Sequence, residues 1–147
     1  MAKFVYRMQN ILDIKYKLES QAKTIYAQAI NNLRNEKLKL QKIYDDINIY
    51  ENEIRNNSQK TVNIEELRWF SNAIQIKKME EIEQKKAIEK ATKEVELARI
   101  KLNEVMIDRK THEKLKEQAF EDFKHEVSDA ENKEIDEIVS YNFNKAE

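Results

Sequence analysis

The sequence contains no glycine and no proline in 147 residues. Average usage of roughly 7% Gly and 5% Pro predicts about 17 or 18 such residues in a chain of this length. Without them, hairpin turns and helix C-caps that need positive φ must rely on Asn and Asp. Sandwiches, barrels and α/β folds need many such reversals and are excluded. We expect an all-α chain, and a charged fraction of 37% fits long exposed helices.

The same composition excludes several kinds of functional site. Glycine-dependent phosphate cradles cannot form, and the absence of cysteine removes disulfides, zinc fingers and thiol nucleophiles. His112 and His125 are too far apart on one helix to bind a single metal ion. Asp122 with His125 supplies only half of a helical di-metal motif. We therefore expect no enzymatic activity, no metal, no cofactor and no small-molecule substrate.

Charge is distributed unevenly along the chain. Residues 1–44 carry nine Lys/Arg and three Asp/Glu, whereas residues 117–147 carry three and ten. The acidic end repels phosphates and lies beside the basic end in the expected fold, so we expect no nucleic-acid partner. No apolar run is long enough to span a bilayer, and residues 1–13 lack the apolar core of a signal peptide. These features predict a cytoplasmic protein.

Apolar residues recur with the three-and-four spacing of a coiled coil in both halves of the chain. In the first half, the polar residues Lys15 and Glu36 stand at two positions of the row. Two consecutive steps of four around Ala29 predict a stutter. The first row is Ile11, Leu18, Ala22, Ile25, Ala29, Leu33, Leu40, Ile43, Ile47, Tyr50 and Ile54. The second is Ile88, Ala91, Val95, Ala98, Leu102, Val105, Arg109, His112, Lys116, Ala119, Phe123, Val127 and Ala130.

The only plausible break between these rows is the polar stretch 55–63. Asn63 and Glu66 match a capping box, and Val62 with Leu67 matches a hydrophobic staple, so a helix should start at this point. We predict a single coiled-coil domain over 1–147, with helix 1 at about 3–56, a turn at 57–63, helix 2 at about 64–140 and a frayed tail at 141–147. Two helices joined by a short turn pack antiparallel.

Pairing outward from the turn places residue 4 near residue 116. About 25 to 30 residues of helix 2 then overhang at 1.5 Å rise per residue. Because the overhang carries an apolar stripe without an intramolecular partner, it should bind a protein groove or a second chain. Its acidic flank favours a partner with a basic rim. The stripe consists of Phe120, Phe123, Ile135, Ile138, Val139, Tyr141 and Phe143.

Further apolar residues lie off the row just after the turn. They include Trp69, Phe70, Ile74, Ile76 and Met79. Two interpretations remain open: a docking surface for another protein, or a short extra helix that folds back and covers them. The polar segment 77–86 interrupts the second row and predicts a place where the helix frays or rearranges.

Three stretches resemble the FliJ family of flagellar type III export proteins. They are the opening 3–15, the mid-chain 62–70 with Glu65-Glu66-Leu67-Arg68 and its aromatic pair, and the late 131–137. The resemblance covers nearly the whole chain and implies a stalk of the flagellar export apparatus. Such a stalk binds the hexameric export ATPase and promotes its assembly, and it contacts the large export-gate membrane subunit and export chaperones. It implies a cytoplasmic location with peripheral association at the inner membrane, and a monomer in isolation.

Two sets of residues are candidate binding sites under this resemblance. The ATPase set lies at the end that bears both termini: Phe4, Arg7, Met8, Phe123, Lys133, Asp136 and Glu137. The export-gate or chaperone set lies near the turn: Ile43, Ile47, Tyr50, Ile74 and Met79. The two assignments could be exchanged. A stalk of a virulence-type secretion system and a generic coiled-coil spacer remain alternatives, whereas a tentacle-type chaperone is disfavoured because no β-hairpin signal joins the helices.

Overall fold

Two long helices make up almost all of the structure, a computed structural model that describes residues 2–59 and 63–146. Helix α1 spans Gln9–Ser58 and helix α2 spans Ile64–Ala146. No strand occurs in the described residues. Contacts between early residues of α1 and late residues of α2, such as Glu19 with Arg109, show that the helices pack antiparallel. The predicted all-α antiparallel hairpin is confirmed.

Contacts divide the chain into two units. One unit is Ala22–Leu102, and the other combines the described parts of Met1–Gln21 and Asn103–Glu147. Each unit pairs a segment of α1 with a segment of α2. The expectation of a single domain stays a prediction.

Helix α2 buries the row of side chains that the sequence predicts. Ala91, Ala98 and Val105 are buried, and the other residues of this row from Ile88 to Val127 are half-buried. Only Ala130 departs, because it is exposed. The small alanines let the facing backbone approach closely, as a narrow contact between two helices requires. We call the contacting rows of the two helices the seam.

Helix α1 uses a seam that differs from the predicted one in its first half. Ile11, Leu18 and Ile25 are 36%, 41% and 56% exposed, so their predicted burial is wrong. The residue after each of them takes its place. The observed row is Leu12, Lys15, Glu19, Ala22, Tyr26, Ala29, Leu33, Glu36, Leu40, Ile43, Ile47, Tyr50 and Ile54. This row keeps alternating steps of three and four, so the predicted stutter is also wrong.

Polar residues can lie in the seam because each has a partner on the other helix. The Nζ of Lys15 lies 2.8 Å from Asp108 Oδ2. The amide of Gln84 donates to the Glu36 carboxylate at 2.5 Å and to the Glu36 backbone carbonyl at 2.8 Å. Such partners satisfy charges and amides that would otherwise be costly to place between two helices.

The polar segment 77–86 belongs to the same pattern. Lys77 lies 3.3 Å from Asp46 across the hairpin and 3.2 Å from Glu80 on its own helix. Helix α2 is continuous through these residues, so the predicted fraying is not observed. Polar pairing maintains the contact where apolar residues are missing.

A nearly buried ion pair joins Glu19 to Arg109. Arg109 donates through Nε to Glu19 Oε2 at 2.6 Å and through Nη2 to Oε1 at 3.2 Å, while its Nη1 donates to Glu113 at 2.9 Å. The Glu19 side chain is only 7% exposed. The Tyr16 hydroxyl also donates to Glu113. The pKa of Arg109 is raised chiefly by the bond to Glu19, so the guanidinium stays charged.

The sequence predicts a helix from about residue 3, but the residues before Gln9 are not part of α1. Helix α1 begins at Gln9, whose N–H donates to the Tyr6 carbonyl at 3.2 Å, and Leu12 N–H donates to the Met8 carbonyl at 3.1 Å. The chain before this point places Phe4 against Phe120, at 5.1 Å between ring centroids. The expected neighbour of residue 4 was residue 116, so this contact lies about one helical turn further along α2.

The turn confirms half of the predicted capping box. Asn63 Oδ1 accepts from the backbone N–H groups of Glu65 and Glu66 at 3.1 and 3.4 Å, as an N-cap should. The Glu66 carboxylate, predicted to reach back to Asn63, accepts from the Asn57 amide at 3.2 Å. The predicted staple involves Val62, which lies outside the described residues. Helix α1 ends at Ser58, two positions beyond the predicted end at residue 56.

The other end of α2 continues further than expected. Helical structure extends to Ala146 instead of ending near residue 140, so the frayed tail is absent from the described residues. Every residue from 128 to 145 is exposed. We use the name overhang for residues 128–145. At 1.5 Å per residue it is roughly 27 Å long, shorter than predicted because Phe4 packs against Phe120 and Phe123.

Acidification should destabilise the hairpin through three carboxylates that face the other helix. The Lys15 ammonium lowers the pKa of Asp108 from 3.8, the Gln84 amide lowers that of Glu36 from 4.5, and the Tyr16 hydroxyl lowers that of Glu113 from 4.5. A depressed carboxyl pKa stabilises the folded state above the ordinary value, and this contribution is lost as the pH falls through the lower folded value.

The triple variant Asp108→Asn, Glu36→Gln, Glu113→Gln should therefore lose less stability than the parent between pH 7 and pH 3. The difference should be a few degrees, on the order of 5 °C in Tm, because solvent screens these pairs. Circular dichroism at 222 nm measures it. Asp129→Asn, Glu131→Gln, Glu134→Gln on the overhang is the charge-matched control and should behave as the parent. An equal pH effect in both triple variants would contradict the prediction.

Candidate partner-binding surfaces

An aromatic cluster lies where the N-terminal segment meets α2. The Phe4 ring centroid lies 5.1 Å from that of Phe120 and 5.4 Å from that of Phe123, and the Lys124 Nζ lies 4.6 Å from the Phe120 ring centroid. Phe120 remains 39% exposed. We call Phe4, Phe120 and Phe123 the terminal aromatic cluster. It anchors a non-helical segment on a helix and still presents part of an aromatic surface to solvent.

The overhang carries apolar and acidic side chains together. Its five large apolar residues are 54–66% exposed: Ile135, Ile138, Val139, Tyr141 and Phe143. Its charged residues are Asp129, Glu131, Lys133, Glu134, Asp136, Glu137 and Lys145, with acidic residues in the majority. An exposed apolar stripe with an acidic surround matches a partner groove with a basic rim.

The structure brings together only part of the predicted ATPase set. Phe4 and Phe123 are in contact within the terminal aromatic cluster. Arg7 and Met8 are exposed in the segment that leads into α1. The remaining three are exposed on the overhang: Lys133, Asp136 and Glu137. These groups therefore form two neighbouring surfaces on the same unit, one aromatic and one acidic.

A second aromatic cluster lies near the turn. The Tyr50 ring centroid lies 5.9 Å from that of Trp69 and 5.9 Å from that of Phe70. The Trp69 and Phe70 centroids are 5.1 Å apart. Trp69 is 60% exposed, whereas Tyr50 and Phe70 are half-buried. No extra helix covers them in the described residues, because α2 runs unbroken from Ile64. The alternative of a short covering helix is therefore wrong, and an open apolar surface remains.

Most of the predicted gate or chaperone set lies in the seam. Ile43 is buried, and Ile47, Tyr50 and Ile74 are half-buried, so only Met79 is widely exposed. The predicted set omits Trp69 and two other exposed residues, Ile49 and Ile76. The signal that identifies them is their position off the observed seam. We define Trp69, Ile76 and Met79 as the turn-proximal patch.

Ion pairs neutralise the charges around Met79. The pKa of Lys77 is raised, first by its hydrogen bond to Glu80 and then by that to Asp46. The pKa of Glu81 is lowered by its hydrogen bonds with Lys85 and Tyr44. Lys77, Glu80 and Glu81 therefore each have an opposite partner, so the patch should recognise apolar surface more than net charge.

A shallow apolar groove on Ala22–Leu102 has no counterpart in the predictions. Its volume is about 510 Å³, and its lining includes Ile25, Ala29, Leu97 and Ala98. The wrong assignment of Ile25 to the seam concealed it. No group of three or more metal-binding side chains occurs in residues 2–59 and 63–146. Neither helix, in its described part, has an apolar window long enough to cross a bilayer.

Comparison with known protein families finds a match over nearly the whole chain. A family model described as Flagellar FliJ protein matches residues 4–147. The chain belongs to the FliJ family. This confirms the resemblance seen in the sequence, and it assigns the chain to flagellar protein export in a stalk role. No curated protein and no solved structure matches this chain.

Phe4→Ala should release the N-terminal segment, because it removes both ring contacts that hold this segment on α2. Trypsin cleavage after Arg7 should become about fivefold faster or more, since each aromatic pair contributes roughly 1 kcal/mol to holding a segment closed. Mass spectrometry of timed digests measures the rate. Val5→Ala is the matched control, because Val5 is 77% exposed. Similar rates for both variants would show that Phe4 does not anchor the segment.

Proposed function

We propose that this FliJ-family chain is the central stalk of the flagellar export ATPase. Its terminal aromatic cluster and overhang bind the hexameric ATPase and promote ring assembly and ATP hydrolysis. The chain itself is not an enzyme in this proposal. It acts in the cytoplasm, peripherally at the inner membrane of the flagellar base, and is monomeric when isolated.

The observation that carries the proposal is the exposed overhang. Residues 128–145 continue α2 as a helix, and every one of them is exposed. A helix with a large apolar stripe and no intramolecular partner needs another protein to cover it. Its acidic side chains favour entry into a pore whose lining is basic.

The opposite end of the hairpin supplies a second surface. We propose that the turn-proximal patch contacts the large export-gate subunit or export chaperones. Trp69 and Met79 are 60% and 68% exposed, and aromatic residues and methionine are enriched where proteins bind each other. Ile43, Ile47 and Ile74 lie in the seam of the same unit.

The full-length chain should raise hexamer formation and ATP hydrolysis by the cognate ATPase. Asp136→Lys with Glu137→Lys should weaken this effect, with the concentration for half-maximal stimulation raised about tenfold by charge repulsion at a basic rim. Glu51→Lys with Glu53→Lys is the matched control near the turn, and it should stimulate like the parent. Phosphate release and light scattering measure the two effects.

Two results would contradict this assignment. Equal stimulation by the overhang variant and the parent would remove the overhang from the interface. A stable dimer of the isolated parent with no effect on the ATPase would favour the coiled-coil spacer.

Trp69→Ala with Met79→Ala should weaken binding to the cytoplasmic part of the export gate by tenfold or more, in the manner of exposed hot-spot residues (~1.4 kcal/mol or more). Isothermal calorimetry measures the Kd. Leu115→Ala is the control, because Leu115 is 52% exposed on α2 but lies away from the turn. An unchanged Kd for the double variant would remove the patch from the gate interface.

A further inference from the structure

Two shallow grooves lie on the unit Ala22–Leu102, and the residues that line them repeat along both helices. The first is the apolar groove of about 510 Å³, and the second has a volume of about 420 Å³. On α1 the first groove is lined by Ile25, Gln28, Ala29 and Asn32, and the second by the residues 14 positions later. On α2 the first is lined by Glu94, Leu97 and Ala98, and the second by the residues 14 positions earlier, together with Lys77.

This repeat places both grooves on one face of the unit. Fourteen residues are two heptads, and in a coiled coil a shift of whole heptads returns to the same face of a helix. The shift runs forward on α1 and backward on α2, as antiparallel packing requires. The two grooves are therefore about 21 Å apart along the helices, at 1.5 Å rise per residue. One straight helix of a partner can reach both.

The first groove is suited to an apolar side chain. Ile25 and Leu97 are 56% and 67% exposed, and the small Ala29 and Ala98 complete the apolar part of its lining. Residues 24–33, which form its α1 side, contain no charged residue in a chain that is 37% charged. The exposed face of a helix is normally charged or polar, so this stretch has the composition of a contact surface.

The second groove is charged, and its carboxylates already have cations. Asp46 and Glu80 lie 3.3 and 3.2 Å from the Nζ of Lys77. Glu83 lies 3.3 Å from the Nζ of Lys86. These acidic side chains are neutralised within the chain, so they do not require a basic partner.

Two lysines on the α1 side of the second groove remain accessible. Lys39 pairs with Glu36 at 3.3 Å, yet 63% of its side chain is exposed. Lys42 is exposed and has no ion pair within residues 2–59 and 63–146. A carboxylate of a partner would complement these two ammonium groups.

We propose that this face of Ala22–Leu102 binds one acidic amphipathic helix of a partner protein. An apolar residue of that helix contacts Ile25 and Leu97, and a carboxylate two heptads away accepts hydrogen bonds from Lys39 and Lys42. The partner then lies as a third helix beside α1 and α2. No residue of the terminal aromatic cluster, the overhang or the turn-proximal patch lines either groove, so the inference is independent of the proposed function.

Two labelled helical peptides of about 22 residues, long enough to reach both grooves at 1.5 Å per residue, test the proposal with the full-length chain. Both carry the same stripe of leucine and alanine. Two heptads from the central leucine, one peptide has a pair of glutamates and the other a pair of lysines. By fluorescence anisotropy, the glutamate peptide should bind the parent about tenfold more tightly, and Lys39→Glu with Lys42→Glu should reverse this preference.

A second pair of variants tests the apolar contact. Ile25→Ala with Leu97→Ala should weaken binding of both peptides about tenfold, because it removes apolar area from the interface. Leu38→Ala with Ile100→Ala is the matched control, since these residues are 61% and 43% exposed, one on each helix, and line neither groove. If the parent binds neither peptide, or if the control loses as much affinity as the groove variant, the face is not a helix-binding site.

A second copy of the chain is the competing occupant, because its overhang is also an acidic helix with an apolar stripe. Sedimentation equilibrium of the isolated parent over a range of concentrations distinguishes the two, and we expect the parent to remain monomeric. A dimer that Lys39→Glu with Lys42→Glu abolishes would overturn the assignment of this face to a partner protein.

Discussion

The structure depends on a seam that is only one row of side chains wide on each helix. Two helices without a third neighbour share little area, and the sequence supplies small residues such as Ala22, Ala91 and Ala98 at buried positions, so the backbones come close. Each apolar contact therefore contributes little. The register of α2 against α1 must therefore depend on which residues meet along the row more than on the amount of buried surface.

Polar residues in the seam provide that pairing. Glu36 meets Gln84, Lys15 meets Asp108, and Glu19 meets Arg109, each across the hairpin. A shift of α2 along α1 would leave these groups without their partners at a site where an unpaired polar group is costly. We infer that they select one register, as polar seam residues do in other coiled coils, while contributing little net stability.

The sequence predicted the parts of the fold that local patterns determine. The hairpin, the N-cap at Asn63 and the α2 row follow from composition, turn chemistry and spacing. The first half of α1 was predicted wrongly because hydrophobicity favours Leu18 over Glu19, and the contact of Glu19 with the distant Arg109 cannot be read from the local sequence. The N-terminal segment was predicted as helix because nothing near Phe4 in the sequence reveals its contact with Phe120.

The candidate surfaces follow from the same narrow seam. A single row cannot cover all the apolar residues that the chain contains, so the surplus lies exposed at both ends, with Trp69 and Met79 near the turn and Ile135 and Ile138 on the overhang. The sequence identified this surplus but placed half-buried Tyr50 and Ile74 in a binding set. Distinguishing seam from surplus requires the rotation of α1 to be known, and the hydrophobic pattern alone does not give that rotation, because polar residues such as Glu19 and Glu36 occupy seam positions.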